Sequence, residues 1–437
     1  MTDVKMELRD LVAFNTVSDP ANGIRPGREC PLHILSRFRE LGLEAEMLEH
    51  GGVYSVLGRV GAGCPTILFL AHFDTVPIGE GWNTNPFDLV VEGDRAYGRG
   101  TCDDKGNIVS LLITAESVCR KTPGCRILFA VTGDEEVGGS SGAGYLAAHL
   151  KETGSSPDYV VVADGIGQQI IFRRRNAMSV RISVKSSIRT ITGVNETIRI
   201  HTETFGNESR HSAYMQRGVD RHSMLAASKY LDLNPHTVVR DIRGSFVKSN
   251  VVPDWVELDV VHEDSGGTEC QYDAGLTGLM RSLLPVSHVN FPTQHSDRGT
   301  TISPNVMRYE NGLWDLYFDV RAMTDDGEPL REAVARALEL YVVPESLTVS
   351  AGAGCVCSDP NSPLIRAARQ AAEAEGIRYS LVEGYGASDS RYFHRHAQVF
   401  DFGPVGGNIH GPNEWVSLRS VEENGRMFQR LIEGLLH

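Results

Sequence analysis

No apolar run in this sequence approaches the ~20 residues needed to cross a bilayer. Basic residues are also in deficit: 42 Lys and Arg stand against 56 Asp and Glu, a net charge of −14 at pH 7. The first shortage excludes a membrane-spanning helix. The second argues against electrostatic capture of nucleic acid or of an anionic membrane as the main task. The one basic run, Arg173-Arg174-Arg175, reads as an ion-paired segment or a solvated turn, with contact to an anionic substrate as the alternative. Cysteine is sparse and scattered (Cys30, Cys64, Cys102, Cys119, Cys125, Cys270, Cys355, Cys357), and no C-x-x-C pair repeats. Neither a disulfide scaffold nor a zinc ribbon is expected, and free thiols in the cytoplasm are. The first residues, MTDVKMELRDLVAF, mix acids into their apolar pattern and read as an amphipathic helix rather than a signal peptide. Internal repeats and low-complexity segments are missing as well.

What is present is a globular composition, 41% apolar and 22% charged, over 437 residues. That length predicts two or three domains. Over the first 176 residues short apolar runs alternate with helical patterns. Thr66–Ala71 (TILFLA), Arg126–Thr132 (RILFAVT) and Tyr159–Ala163 (YVVVA) read as buried strands. Ile108, Leu111, Leu112, Ala115 and Val118 make one helical face between the first two. This order predicts a largely parallel sheet flanked by helices. From Ala177 alternating segments dominate (SVRISVKSS, ETIRIHTETF, WVELDVVHED, GLWDLYFDVRAMT), an α+β texture with antiparallel strands. After Ala351–Gly354 the first texture returns, with a helix over Ser362–Glu375 and a strand at Gln398–Phe402. The reading is an α/β domain built from 1–176 and 354–437, with 177–353 inserted as a second, α+β domain.

Chemistry-bearing residues follow the strands. TILFLA runs into His72-Phe73-Asp74, RILFAVT into Gly133-Asp134-Glu135-Glu136, YVVVA into Asp164, and QVFDF into a glycine-rich loop with His410. In open α/β sheets ligands bind beyond the carboxyl ends of the strands. Asp103-Asp104 sits in GRGTCDDKG at the start of a helix, where one of the two reads as a cap. Singly each residue has an ordinary explanation: a hydrogen-bonded loop histidine, a solvated glutamate pair. Together, so many like charges at one sheet edge repel unless cations neutralise them. Mixed imidazole and carboxylate ligands suit two Zn²⁺, with Mn²⁺ or Co²⁺ as alternatives. His72 and Asp74, two apart, share one side of an extended segment, so one can bind metal while the other fixes it. Glu135 and Glu136 point apart, so one can bind metal while the other acts as a base.

AHFDTVP (Ala71–Pro77), YGRGTCDDKGN (Tyr97–Asn107), TGDEEVGG (Thr132–Gly139), ADG (Ala163–Gly165), GASDSR (Gly386–Arg391) and FGPVGGNIHGPNE (Phe402–Glu414) together resemble the M20 family of co-catalytic metallopeptidases and deacylases. The resemblance implies the co-catalytic zinc peptidase fold with an inserted lid and dimerisation domain, and hence a homo-oligomer. It implies that Asp103 bridges two metals, that His72 and Asp164 complete one site and Glu136 and His410 the other, and that Asp74 orients His72. Glu135 would be the general base for metal-activated water, and the Asp103–Asp104 peptide would be cis. In the lid, His211 stands where the family places an oxyanion-stabilising histidine, often reaching a neighbouring subunit. Met215 and Asp220 depart from the Pro and Asn usual there, and a structural histidine is the alternative. Asn250, Arg321 and Arg391 are candidates for holding a substrate carboxylate, although Arg321 has Asp319 and Asp325 as rival partners. Substrate choice or further subunit contacts are expected near Ile188–Arg210 and Glu263–Thr300.

The function expected is hydrolysis of an amide C–N bond in a small carboxylate-bearing molecule, such as an N-acyl amino acid or dipeptide. An aminohydrolase acting on a non-peptide C–N bond is the alternative. A catalytically silent metal-binding protein is disfavoured because Glu135 is kept beside the ligands, and the glycine-bounded loop lacks the phosphate-cradling G-x-x-x-x-G-K-[ST].

Overall fold

The computed structural model describes every residue except 1, 122, 206–210, 217, 297–298, 385 and 437. The chain forms two compact units, Met1–Arg174 with Val356–His437, and Arg175–Cys355.

The first unit is built on a nine-stranded mixed sheet. Its centre is parallel: Arg126–Thr132, Thr66–His72, Tyr159–Val162 and Gln398–Asp401 lie side by side. The margins are mostly antiparallel, although Ser380–Gly384 pairs in parallel with Gln169–Arg174. The Glu44–His50 and Val53–Val60 hairpin closes one edge, and Gln169–Arg174 with Val356–Cys357 lies toward the other. Thr66–His72 is buried along its whole length, as a central strand covered on both faces must be. Its side chains alternate between two cores. Ile67, Phe69 and Ala71 face one, packed by helices that include Leu418–Leu435 and Pro363–Ala374, and Leu68 and Leu70 face the other, under Leu146 and Leu150. The Phe69 and Phe428 rings meet at 5.4 Å. A separate four-stranded antiparallel sheet (Gly406–Gly407, Trp415–Ser417, Arg95–Tyr97, Val90–Glu92) joins the end of the chain to the segment just before Asp103.

The second unit holds two four-stranded antiparallel sheets. One orders its strands Thr301–Glu310, Leu313–Ala322, Asn176–Lys185, Ser346–Ser350. The other orders them Thr237–Gly244, Trp255–Glu263, Ile188–His201, Thr268–Asp273. Numbered along the chain, both read second, third, first, fourth, so the same winding occurs twice. The second sheet is inserted after the first strand of the other. Its ends meet: Ser187 N donates to Asp273 Oδ1 (3.0 Å) and Ala274 N to Ser187 O (2.8 Å). Asp273 then caps the helix Ala274–Ser287. That helix buries Leu276, Leu279, Met280, Leu283 and Val286 in a core shared by both sheets. Of the two segments expected to carry substrate choice or subunit contacts, Ile188–Arg210 holds a mid-sheet strand that is mostly exposed, with Gly193 and Ile200 buried, whereas Glu263–Thr300 contains this core helix. Residues 206–210 and 297–298 of those segments lie outside the described residues.

Candidate metal centre

His72 ends its strand, Asp74 lies two residues beyond, Asp134–Glu136 follow Thr132, and Asp164 lies two beyond Val162. His410 occupies the loop between Gly406–Gly407 and Trp415–Ser417, in a left-handed backbone conformation (φ 63°). Asp103 lies in the turn Thr101–Lys105, and the Asp103–Asp104 peptide is cis. All belong to the first unit.

They gather into two groups. Potential ligand atoms of His72, Glu135 and Asp164 lie within 4.8 Å of one another, as do those of Asp103, Glu136 and His410. Asp103 joins them: its Oδ1 is 3.0 Å from His72 Nε2 and its Oδ2 is 3.0 Å from His410 Nε2. Glu136 Oε2 is 3.1 Å from His410 Nε2. Asp74, fully buried, holds the neighbourhood in register. Its carbonyl accepts from His72 Nδ1 (3.0 Å), which leaves Nε2 as the free ligand atom. Its carboxylate accepts from the backbone N–H groups of Glu135 (3.0 Å) and Glu136 (3.2 Å). Asp104 does not cap the helix after it. Its Oδ2 accepts from His72 N (2.9 Å) and its Oδ1 from Asn107 Nδ2 (2.6 Å).

The electrostatics fit cations. Burial, with the charge of Asp389, raises the Glu135 pKa, and burial with the charge of Glu135 raises that of Asp164. Burial acts to raise Asp103 too, but hydrogen bonds to His410 and His72 outweigh it and hold the carboxyl well below its usual range. Glu136 Oε1 is buried with no hydrogen-bond partner among the described residues. An orphaned carboxylate oxygen among like charges is costly, and a divalent cation in this oxygen and imidazole set would answer both needs.

The remaining candidates divide. Arg391 is in the first unit, donates Nη2 to Gly138 O (2.7 Å) beside the Glu135 turn, and lies near enough to Glu135 for their charges to interact. His211, Asn250 and Arg321 are in the second unit. Ala213 N donates to His211 Nδ1 (3.0 Å), and Asn250 Nδ2 lies 3.2 Å from His211 Nε2. Arg321 forks onto Asp319 (3.0 and 3.1 Å), the rival pairing that its spacing allowed. Asp220, where Asn is usual, accepts from the Phe205 and Gln216 backbone N–H groups, a task suited to an acceptor-only carboxylate. The basic run is consumed by internal partners: Arg173 pairs with Glu383, Arg174 with Asp401 and the Asp164 carbonyl, and Arg175 with the Gly299 and Ala213 carbonyls. Reasoning from sequence missed Glu414 and Asp389, both buried against the site loops, although each lies inside a stretch that carried the resemblance.

A helix-flanked mixed sheet with an inserted antiparallel unit and two carboxylate–imidazole groups at its strand ends defines a metal-dependent hydrolase. The chain belongs to peptidase family M20/M25/M40, whose sequence model matches residues 68–434. It binds divalent metal and hydrolyses C–N bonds. It is 25% identical over 421 residues to a succinyl-diaminopimelate desuccinylase of Bordetella parapertussis, covering 93% of each chain. To the Gluconobacter oxydans enzyme of that name it is 24% identical over 389 residues, covering 87% of this chain and 84% of the other. In fold it is similar to an aminoacylhistidine dipeptidase from Vibrio alginolyticus (TM-score 0.70, 15% identity, 98% of this chain and 96% of that one). A dinuclear metal-binding M20 peptidase from Bacillus subtilis also shares the fold (TM-score 0.55, 14% identity, 98% and 96%).

Proposed function

We propose that the protein removes an acyl group from a small N-acyl amino acid, or splits a dipeptide, using two zinc ions. His72 and Asp164 would hold one, Glu136 and His410 the other, with Asp103 between them. Divalent cations at such a site polarise a carbonyl and lower the pKa of water toward ~7. Glu135 takes the proton of the attacking water on its carboxylate and passes it to the leaving nitrogen. The observation that carries this reading is the setting of Glu135. It is grouped with His72 and Asp164, its N–H is fixed by Asp74, and burial makes it a stronger base than a solvated glutamate. Arg391, close enough to Glu135 for their charges to interact, supports a carboxylate on the substrate, and His211 with Asn250 are assigned to substrate recognition in the second unit. The desuccinylases among the relatives make N-succinyl amino acids the first compounds to try.

The test is zinc-reconstituted protein against N-succinyl and N-acetyl amino acids, dipeptides and aromatic amino-carboxylates, with products identified by mass. Release of an amino acid from an amide supports the proposal. Ammonia from amino-carboxylates without amide cleavage overturns it in favour of the aminohydrolase. We place the protein in the cytoplasm, where eight cysteines that form no disulfide among the described residues suit a reducing medium, and as a homo-oligomer joined through the second unit. Exposed Ile188 and Val194 on one strand of that unit support this assembly. Light scattering that reports a monomer at all concentrations would remove the oligomer.

A further inference from the structure

Glu414 lies four residues beyond His410 and is wholly buried. Its Oε2 accepts from Arg99 Nη1 (2.8 Å) and Gly100 N (2.9 Å). Its Oε1 accepts from Cys102 N (2.9 Å) and Asp103 N (3.0 Å). Its backbone carbonyl accepts from Gly98 N (3.0 Å). One residue thus satisfies four backbone N–H groups across Gly98–Asp103, the segment that leads into the helix Gly106–Cys119. Buried N–H groups in such an irregular segment still require an acceptor, which the backbone alone does not supply here. A carboxylate is the strongest acceptor available for them.

The pair is chemically specific. Glu414 would add one more negative charge to those of Asp74, Asp103, Asp104, Glu135, Glu136 and Asp164, but Arg99 neutralises it on the spot. Arg99 is itself buried and is fixed by the Pro77 and Ile78 carbonyls (3.3 and 3.2 Å) and by stacking over the Trp82 ring (5.1 Å). From the other side, Asn413 ties the loop of His410 to the same 78–83 segment, accepting from Asn83 N (2.9 Å) and donating to Gly81 O (3.2 Å). The loop that carries Asp103 and the loop that carries His410 are therefore braced through one carboxylate, and the two ligand side chains meet at 3.0 Å.

We propose that Glu414, with Arg99, is a positioning residue for the shared ligand Asp103 and sets the geometry in which Asp103 and His410 take the second metal. The proposal rests on the reading of Asp103 as the ligand common to both sites. Neutral Glu414→Gln keeps the volume but turns an NH₂ group toward N–H donors, so two of the four side-chain bonds are lost.

The experiment uses purified full-length protein freed of metal and titrated with Co²⁺. Affinity is read by chelator competition and coordination by the visible d–d spectrum. Glu414→Gln should weaken binding of the second ion by roughly 10- to 100-fold, the usual effect of losing an outer partner of a metal ligand, and should alter the second ion's spectrum. Glu414→Asp, which keeps the charge, should recover part of both. Val416→Ala, a buried change in the same hairpin with no bond to the Asp103 loop, should leave the spectrum as it is. A Glu414→Gln protein that binds both ions with wild-type affinity and spectrum overturns the proposal. If Glu414→Gln does not fold, Arg99→Lys reads the same brace from its other end, with the same two outcomes. Asp103→Asn separates the layers. Two ions bound normally by that variant defeat the reading of Asp103 itself, whereas their loss beside an unaffected Glu414→Gln protein defeats the brace alone.

Discussion

Three parts of the metal centre hang on Asp74: the ring of His72 through its carbonyl, and the backbones of Glu135 and Glu136 through its carboxylate. Asp74→Asn leaves one oxygen for two N–H groups and should lower kcat by roughly 10- to 100-fold, with KM nearly unchanged at saturating zinc. An unaltered kcat would show that Glu135 keeps its place without this clamp. Glu135→Ala should lower kcat by roughly 10²-fold or more, while bound metal, measured by atomic emission, stays at the wild-type level. Near-normal turnover would remove Glu135 as the base. These residues were legible because they follow buried strands at fixed offsets, where side-chain direction is set by the backbone. Glu414 was not, since its bond to Asp103 N joins residues 311 positions apart and a lone glutamate carries no sign of its partner. Arg321 was legible only as a choice. Two residues from Asp319 on one face of a strand, it could serve that carboxylate or a substrate's, and it takes Asp319.

Among the elements, the strands showed themselves best, because a run such as TILFLA is apolar on both faces. The helix Ala274–Ser287 did not, because Gly275, Gly278 and Pro285 dilute its helix propensity. Gly278 has a packing reason: a Cβ there would come within 2.4 Å of the Tyr341 carbonyl oxygen. The apolar stripe of this helix is nonetheless core. Leu279→Ala should cost about 2–5 kcal/mol, read from the denaturant midpoint, and a loss under about 1 kcal/mol would place that side chain outside the core. A second element carries a pH signature. His222 caps the helix Ser223–Leu233 through Nδ1, and burial lowers its pKa to about 4. The folded ring stays neutral where an unfolded histidine, near ~6.5, takes up a proton. Its contribution is therefore complete above pH 6.5 or so and fades as pH falls toward about 4, by up to roughly 3 kcal/mol. His222→Asn keeps a capping side chain and should flatten this part of the stability profile relative to wild type. Parallel profiles would refute the assignment.

For the whole molecule, the return of α/β texture after Ala351 was enough to suggest a chain that leaves its first domain and comes back. The doubled winding of the second unit was not visible, because two sheets can share an order of strands while sharing no sequence. Removing metal should separate the two units thermally. Cations that bind only the folded first unit add about 2.7 kcal/mol per site when free metal is 100 times Kd. Chelation should therefore lower one calorimetric transition and leave the other in place, whereas a trace unchanged by chelator would mean that the cations contribute nothing to folding.

The strand Gln398–Asp401 sits inside the main sheet, between Tyr159–Val162 and Gln169–Arg174, although it is made last. During synthesis the whole second unit leaves the ribosome before this strand exists. The first unit must wait with a gap in its sheet, and without His410 and Glu414, until the final stretch of chain arrives. A polypeptide cut short after the second unit therefore lacks an internal strand of the main sheet together with His410 and Glu414, and the group of Asp103, Glu136 and His410 cannot assemble.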